Sequence, residues 1–233
     1  DKKIAFWFIA LLSVLVLVPF LGETIFYSKG EPREAIVAYT MLESGNWILP
    51  MNYGVEIAYK PPFLYWTIAV ISSILGGVSE FSARMPSALA FLAMQLVFFS
   101  FVAKRKNVKT AFLTSILLLS SFEVHRAAVA CRLDMLQVSL IVISLCLLFR
   151  WDEKNCKGVP WLAVLLMACA TLTKGPVGSI FPCLCIGIYQ LLRGRSFGKA
   201  FFSLLGIGLL SLIPLGIWFW AAYQQGGDRK SVV

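Results

Sequence analysis

Long apolar runs alternate with short polar ones along this chain. The first run covers residues 4–21 and follows Lys2 and Lys3. A bilayer core is about 30 Å thick, which takes about 20 apolar residues in a helix. The run approaches that length and no small-x-small cleavage site follows it, so it reads as a retained helix rather than a signal peptide. The remaining runs complete a set of predicted spans at 4–22, 82–103, 110–128, 134–150, 159–174, 176–192 and 200–222. The run at 63–75, framed by Pro61-Pro62 and Gly76-Gly77, is too short to cross.

Charge fixes the expected topology. Basic residues cluster at Lys104-Arg105-Lys106 with Lys109, across 150–157, and across 193–199. Cytoplasmic loops carry the Lys/Arg excess. With the seven spans above, Lys2, Lys3 and all three clusters share the cytoplasmic side. Counting 63–75 as an eighth span would turn the clusters outward. The segment 62–76 is therefore expected to be a juxtamembrane or re-entrant helix on the external face. A second such helix is expected over 32–44, opening at Pro32 and stopping before Gly45, since proline suits the first helical position and glycine the position past the end. Its Ile36, Val37, Thr40 and Met41 give it an apolar side. Residues 46–50 and 52–59 read as extended connections. The expected fold is all-α: a polytopic transmembrane helical bundle with external juxtamembrane helices.

Composition agrees. The 233 residues are 59% hydrophobic and 14% charged, against about 45–50% and about 25% in soluble domains. The net charge of +9 sits in loops between apolar runs and forms no basic stripe interleaved with exposed aromatics, which argues against nucleic acid as a partner. The partners implied are membrane lipids. The six cysteines (131, 146, 156, 169, 183 and 185) form no C-x-x-C pair, and His125 is the one histidine. They read as small hydrophobes between helices, and a divalent metal site is not supported. The last six residues, Asp228-Arg229-Lys230-Ser231-Val232-Val233, follow a helix exit at Gly226-Gly227 and read as translated adapter read-through, a non-native tail on an N-terminal piece of a longer protein.

On this layout the external face gathers carboxylates together with cations that break the orientation rule. Charged groups at membrane depth face a cavity or a partner. Asp134 opens an apolar span, and Glu31 opens the helix at Pro32. Each has a structural alternative, Asp134 as a helix cap paired with Arg132 and Glu31 as an acid on a helix dipole. Their chemical reading is a general base that takes a proton from an acceptor hydroxyl. Lys60 precedes two prolines that hold its backbone rigid. Lys60, Arg84 and Lys174 are the candidate cations for a departing phosphate. Arg33, Glu34 and Arg132 are supporting candidates.

Taken in order, these stretches resemble the GT-C membrane glycosyltransferases, in particular the aminoarabinose transferase and protein mannosyltransferase superfamily. The matching segments are Glu31-Pro32-Arg33-Glu34-Ala35, MLESGNWILP at 41–50, Tyr59-Lys60-Pro61-Pro62 with Tyr65-Trp66, EFSARMPSA at 80–88, Arg132-Leu133-Asp134-Met135 and Thr173-Lys174-Gly175-Pro176. The resemblance implies a polyprenyl-phosphate sugar donor, an external (periplasmic) site in a bacterial inner membrane, inversion at the anomeric carbon, and two juxtamembrane helices after the first span. It places Glu31 at the second acid of the family's Asp-Glu pair, Lys60 at a phosphate-contacting lysine, and Asp134 at an acid opening a later span. Two departures stand out. Gly30 occupies the place of the first acid, and Tyr59 the place where lipid A-modifying members carry an acid, so no metal is assigned there. Members are about twice as long, and the piece alone is expected to be inactive. The expected acceptor is lipid A, another glycan or protein. The alternative function is a non-enzymatic lipid-phosphate transporter or flippase component, which inverted repeats would favour and for which none is visible. An assembly subunit would leave the external acids unexplained.

Overall fold

The computed structural model describes residues 1–58 and 60–226. Tyr59 and the tail at 228–233 lie outside the described residues. The helices run α1 (Lys2–Leu17), α2 (Gly30–Ser44), α3 (Phe63–Leu75), α4 (Glu80–Arg105), α5 (Val108–Ser120), α6 (Phe122–Ala128), α7 (Leu133–Glu153), α8 (Trp161–Lys174), α9 (Val177–Leu192) and α10 (Phe197–Gly226). Strands β1 (Met51–Asn52) and β2 (Glu56–Ile57) pair antiparallel across a turn in which Tyr53 and Gly54 both adopt positive φ. The fold is an all-α bundle of membrane type.

Helix ends follow local chemistry. α2 ends at Gly45 and α3 at Gly76, both left-handed, where glycine carries no Cβ penalty. α4 starts with a capping box, in which Ser79 and Ser82 each accept the other's backbone N–H. α4, α7 and α10 are long and apolar enough to cross a membrane, whereas α3, α5, α8 and α9 are apolar but shorter. The stretch expected as a single span over 110–128 is instead two helices. The chain is extended at Ser121, where adjacent serines offer the backbone competing hydrogen bonds.

α7 is the central rod. It packs on α4, α8 and α9, and α4 carries α1, α3 and α5 on its other sides. α2 rests on α3, and the two meet the start of α7 in one apolar cluster containing Val37, Met41, Leu64, Ile68, Leu133 and Leu136. The connection after α2 is pinned by two indoles. Trp66 Nε1 donates to the Trp47 carbonyl at 2.7 Å, and Trp218 Nε1, near the end of α10, donates to the Ile48 carbonyl at 2.8 Å. The C-terminal end of α10 thus shares an end of the bundle with α2 and α3.

α8, α9 and α10 join through small and hydroxylated residues. Ser179 Oγ lies 2.7 Å from both Thr171 Oγ1 and Ser211 Oγ, a buried chain across three helices. Such residues let apolar helices approach closely where lipid offers no hydrophobic driving force. Gly178 is where the approach is tightest. A Cβ there would lie 2.4 Å from the Thr171 nitrogen and 2.5 Å from the Ala170 carbonyl carbon, and backbone cannot swing away as a flexible side chain does. Gly178→Ala is expected to destabilise the bundle by about 1–3 kcal/mol, the usual cost of overpacking. Gly216→Ala, with open space around it, serves as the control. Unfolding midpoints in detergent measure both, and equal midpoints for the two variants would contradict the packing assignment.

Candidate active site

Glu31, in the first turn of α2, is fully buried. Its Oε1 accepts from Arg84 Nε and from the Cys131 backbone N–H, each at 3.0 Å. Its Oε2 accepts from the Tyr27 N–H at 3.3 Å and the Ser28 hydroxyl at 3.5 Å. Burial alone would raise its pKa. The Arg84 guanidinium and the two amides outweigh that and hold the carboxyl below the ordinary glutamate range. Arg84 is just as enclosed, at 1% exposure. Its Nη1 reaches the carbonyls of Leu21 (2.7 Å) and Thr24 (2.8 Å), and its Nη2 that of Ile25 (3.1 Å). Arg84 therefore stands at the centre of a buried tie joining residues 21–28, α2, α4 and the α6–α7 connection. The sequence suggested an exposed cation open to a phosphate, and packing places it otherwise. Glu31 likewise shows no free carboxylate oxygen.

A second group lies at the start of α7. Asp134 sits in that helix's first turn, where the dipole favours an acid. Lys174, the last residue of α8, reaches its Oδ1 at 2.5 Å. Both side chains remain open, at 52% and 40% exposure, so this pair contributes little to stability and is free to meet a ligand. Arg132, exposed, covers Gly30. A Cβ on Gly30 would lie 3.2 Å from Arg132 Nη2. The guanidinium thus stands where a side chain at position 30 would point. The Cys131 amide holding Glu31 is three residues from Asp134, so both groups share one end of the bundle.

The third group surrounds Glu34. Arg33 Nη2 donates to its Oε1 at 3.1 Å, and its Oε2 is buried. Tyr65, buried on α3, faces Glu34, and burial together with that carboxylate pushes its phenol far up. Arg33, Asn52, Lys60 and Tyr65 line a small cavity of about 10 Å³, where Asn52 Oδ1 has no hydrogen-bond partner among the described residues. That volume is on the order of one water molecule.

Of the expected site residues, Glu31 and Arg84 bond directly, as do Asp134 with Lys174 and Arg33 with Glu34, while Lys60 joins Arg33 at the small cavity. The partners that sequence reasoning missed are the Cys131 amide, which no side-chain pattern reveals, and Tyr65, whose place beside the Lys60-Pro61-Pro62 run was the available signal. Among the described residues, no group of three or more His, Cys, Asp or Glu side chains is arranged to hold a metal ion.

Comparison with known proteins adds the following. The profile of the family described as dolichyl-phosphate-mannose-protein mannosyltransferase matches residues 59–218, which include Lys60, Arg84, Arg132, Asp134 and Lys174. The undecaprenyl phosphate-alpha-4-amino-4-deoxy-L-arabinose arabinosyl transferase of Shewanella sediminis is 34% identical over 72% of this chain and 31% of its own length. The second such transferase of Proteus mirabilis is 28% identical over 93% of this chain and 39% of its own. The crystal structure of ArnT from Cupriavidus metallidurans bound to undecaprenyl phosphate superposes with a TM-score of 0.81 at 23% identity, covering 96% of this chain and 42% of that one. The chain therefore spans less than half the length of these relatives, and its bundle has the fold of that structure.

Removing one partner of a buried ion pair strands the other charge and costs about 3–5 kcal/mol, while replacing both with apolar residues is often neutral. Glu31→Ala is expected to destabilise by that amount and Glu31→Leu/Arg84→Met to recover most of it. The pH dependence follows from the sign of the shift. A carboxyl held below its unfolded value contributes stability that is full above the ordinary glutamate pKa, about 4.3, and lost as pH falls through the folded value. Unfolding midpoints at neutral pH and well below pH 4 should show this acid-sensitive component in the parent chain and not in the double variant.

Proposed function

The chain belongs to the dolichyl-phosphate-mannose-protein mannosyltransferase family, and from that premise we propose that the protein is a glycosyltransferase moving a sugar from a polyprenyl-phosphate donor to a lipid, glycan or protein acceptor at the external face of the membrane. It is a multi-pass bacterial membrane protein. The observation that carries the reading is the open Asp134–Lys174 pair, held beside the buried Glu31–Arg84 tie at one end of α7. A rigid, preorganised frame bordering accessible acid and base groups is what a displacement reaction requires.

In this reading the acceptor hydroxyl attacks the anomeric carbon, the bond from that carbon to the phosphate oxygen breaks, and the polyprenyl phosphate leaves with the electron pair. The hydroxyl proton passes to a carboxylate. Asp134 is the better placed of the two expected acids, because Glu31 has both oxygens occupied and no exposure. Glu31 then acts as a positioning residue. Lys60, at the small cavity with Arg33 and Tyr65, takes the donor phosphate. Lys174 and Arg132 add positive charge near the leaving group, and no metal is assigned. In this reading the N-terminus lies on the cytoplasmic side, which the placement of the basic loops supports.

The test uses full-length protein with a polyprenyl-phosphate sugar, scoring transfer and donor binding separately. Asp134→Asn is expected to lower turnover about 10²–10⁴-fold with donor binding retained. Lys60→Ala is expected to lose donor binding first. Transfer at the parent rate by Asp134→Asn would remove that residue from the chemistry, and donor binding unchanged in Lys60→Ala would remove the phosphate assignment.

A further inference from the structure

At the far end of α7 lies a polar pocket that the transfer reaction does not use. α7 is 21 residues long, so its two ends stand roughly 30 Å apart, about one bilayer core. Asp134 lies at one end, and the pocket, between the ends of α7 and α9 and the start of α10, lies at the other. It measures about 640 Å³ and is lined by Asp152, Gln190, Arg193, Arg195 and Lys199, among others.

Its electrostatics are unbalanced. Asp152 is 6% exposed and already held by Arg195 at 3.0 Å and by Gln190 Nε2 at 2.8 Å. Glu153, also on the wall, is paired with Arg105. Among the described residues Arg193 hydrogen-bonds only a neutral group, the Tyr189 hydroxyl, at 3.2 Å. The start of α10 compounds the excess. A helix N-terminus presents unpaired N–H groups and favours acids, yet the first turn of α10 contains none, and Arg193, Arg195 and Lys199 surround it. A third observation is independent of charge. Gln190 is 99% buried, lines the pocket, and its Oε1 has no hydrogen-bond partner among the described residues. A ligand that satisfies this wall brings both an anion and a donor hydroxyl. An apolar groove of about 390 Å³ between α9 and α10 ends at the same turn, where Leu191 and Phe197 flank Arg193 and Arg195.

We propose that this pocket and groove bind one anionic glycerophospholipid of the bilayer. Its phosphate meets Arg193, Lys199 and the α10 N-terminus, a headgroup hydroxyl donates to Gln190 Oε1, and an acyl chain lies in the α9–α10 groove. Basic pockets between transmembrane helices at a bilayer boundary are suited to such headgroups. The site does not depend on the transfer reading, because none of its residues belongs to the cluster at the other end.

The purified full chain in neutral detergent is titrated with phosphatidylglycerol, with phosphatidylcholine and with soluble glycerol 1-phosphate, and bound ligand is counted by native mass spectrometry. Phosphatidylglycerol is expected to bind about ten-fold or more tighter than the other two. Arg193→Ala/Lys199→Ala is expected to abolish that preference, Lys199→Arg to keep it, and Lys106→Ala/Lys109→Ala, in a different basic cluster, to leave it unchanged. Retained preference in the Arg193/Lys199 variant overturns the proposal. So does equal loss in the Lys106/Lys109 control, which would indicate diffuse charge attraction. Glycerol 1-phosphate binding as tightly as the lipid overturns the lipid assignment.

Discussion

Burying a carboxylate and a guanidinium in a bundle made of apolar residues is the constraint around which this structure is organised. Each ion would lose several kcal/mol of hydration if moved inward alone. The cost is offset only because Glu31 and Arg84 meet each other and nearly every remaining donor and lone pair finds backbone. The acceptors for Arg84 are carbonyls of residues 21, 24 and 25, and the donors to Glu31 include the amides of Tyr27 and Cys131. These groups come from four parts of the chain. The pair therefore sets where the segment after α1 turns, how α2 lies on the bundle, and where α7 begins.

That arrangement gives the two acids different surroundings. A carboxylate surrounded by donors and held below its ordinary pKa is a poor proton acceptor. Its value lies in fixing the Cys131 amide, three residues before Asp134. Gly30 extends the same logic. Arg132 lies over its α-carbon, so the space and charge that an acid at position 30 would satisfy are left to an exposed cation. An accessible guanidinium and an accessible ammonium then share this end of the bundle with one accessible carboxylate.

Much of the bundle was legible because helices in lipid must carry their own hydrogen bonds and their apolar length. The proline and glycine punctuation around 32–44 and 62–76 matches the helices Gly30–Ser44 and Phe63–Leu75. The break at Ser121 was not legible, because residues 110–128 keep an apolar pattern through it and only a serine pair marks the site. Within the candidate site, the sequence offered residue types and order but not burial. Arg84 and Lys174 look alike as isolated cations beside apolar runs, yet one is 1% exposed and the other open. Nothing in the neighbouring residues distinguishes them. The difference arises from carbonyls some sixty positions away, released where the chain leaves α1.

The same economy explains why polar chemistry gathers at both ends of α7 and not along it. Between the ends, the helices meet through hydroxyls that bond one another or their own backbone, such as Thr171, Ser179 and Ser211, and through Gly178, which removes a side chain altogether. The hydroxyls in these contacts are satisfied locally. At the ends, helix termini leave N–H and C=O groups without helical partners, and charged side chains reach water or headgroups. One end closes most of its polar groups into the Glu31–Arg84 tie and leaves Asp134 and Lys174 open. The other ties Asp152 to Arg195 and, among the described residues, leaves Arg193 and Lys199 without an acidic partner and Gln190 Oε1 without a hydrogen-bond partner. At one end a fully buried ion pair sets the backbone, at the other a partly exposed one does, and in each case charged groups beside the pair remain accessible.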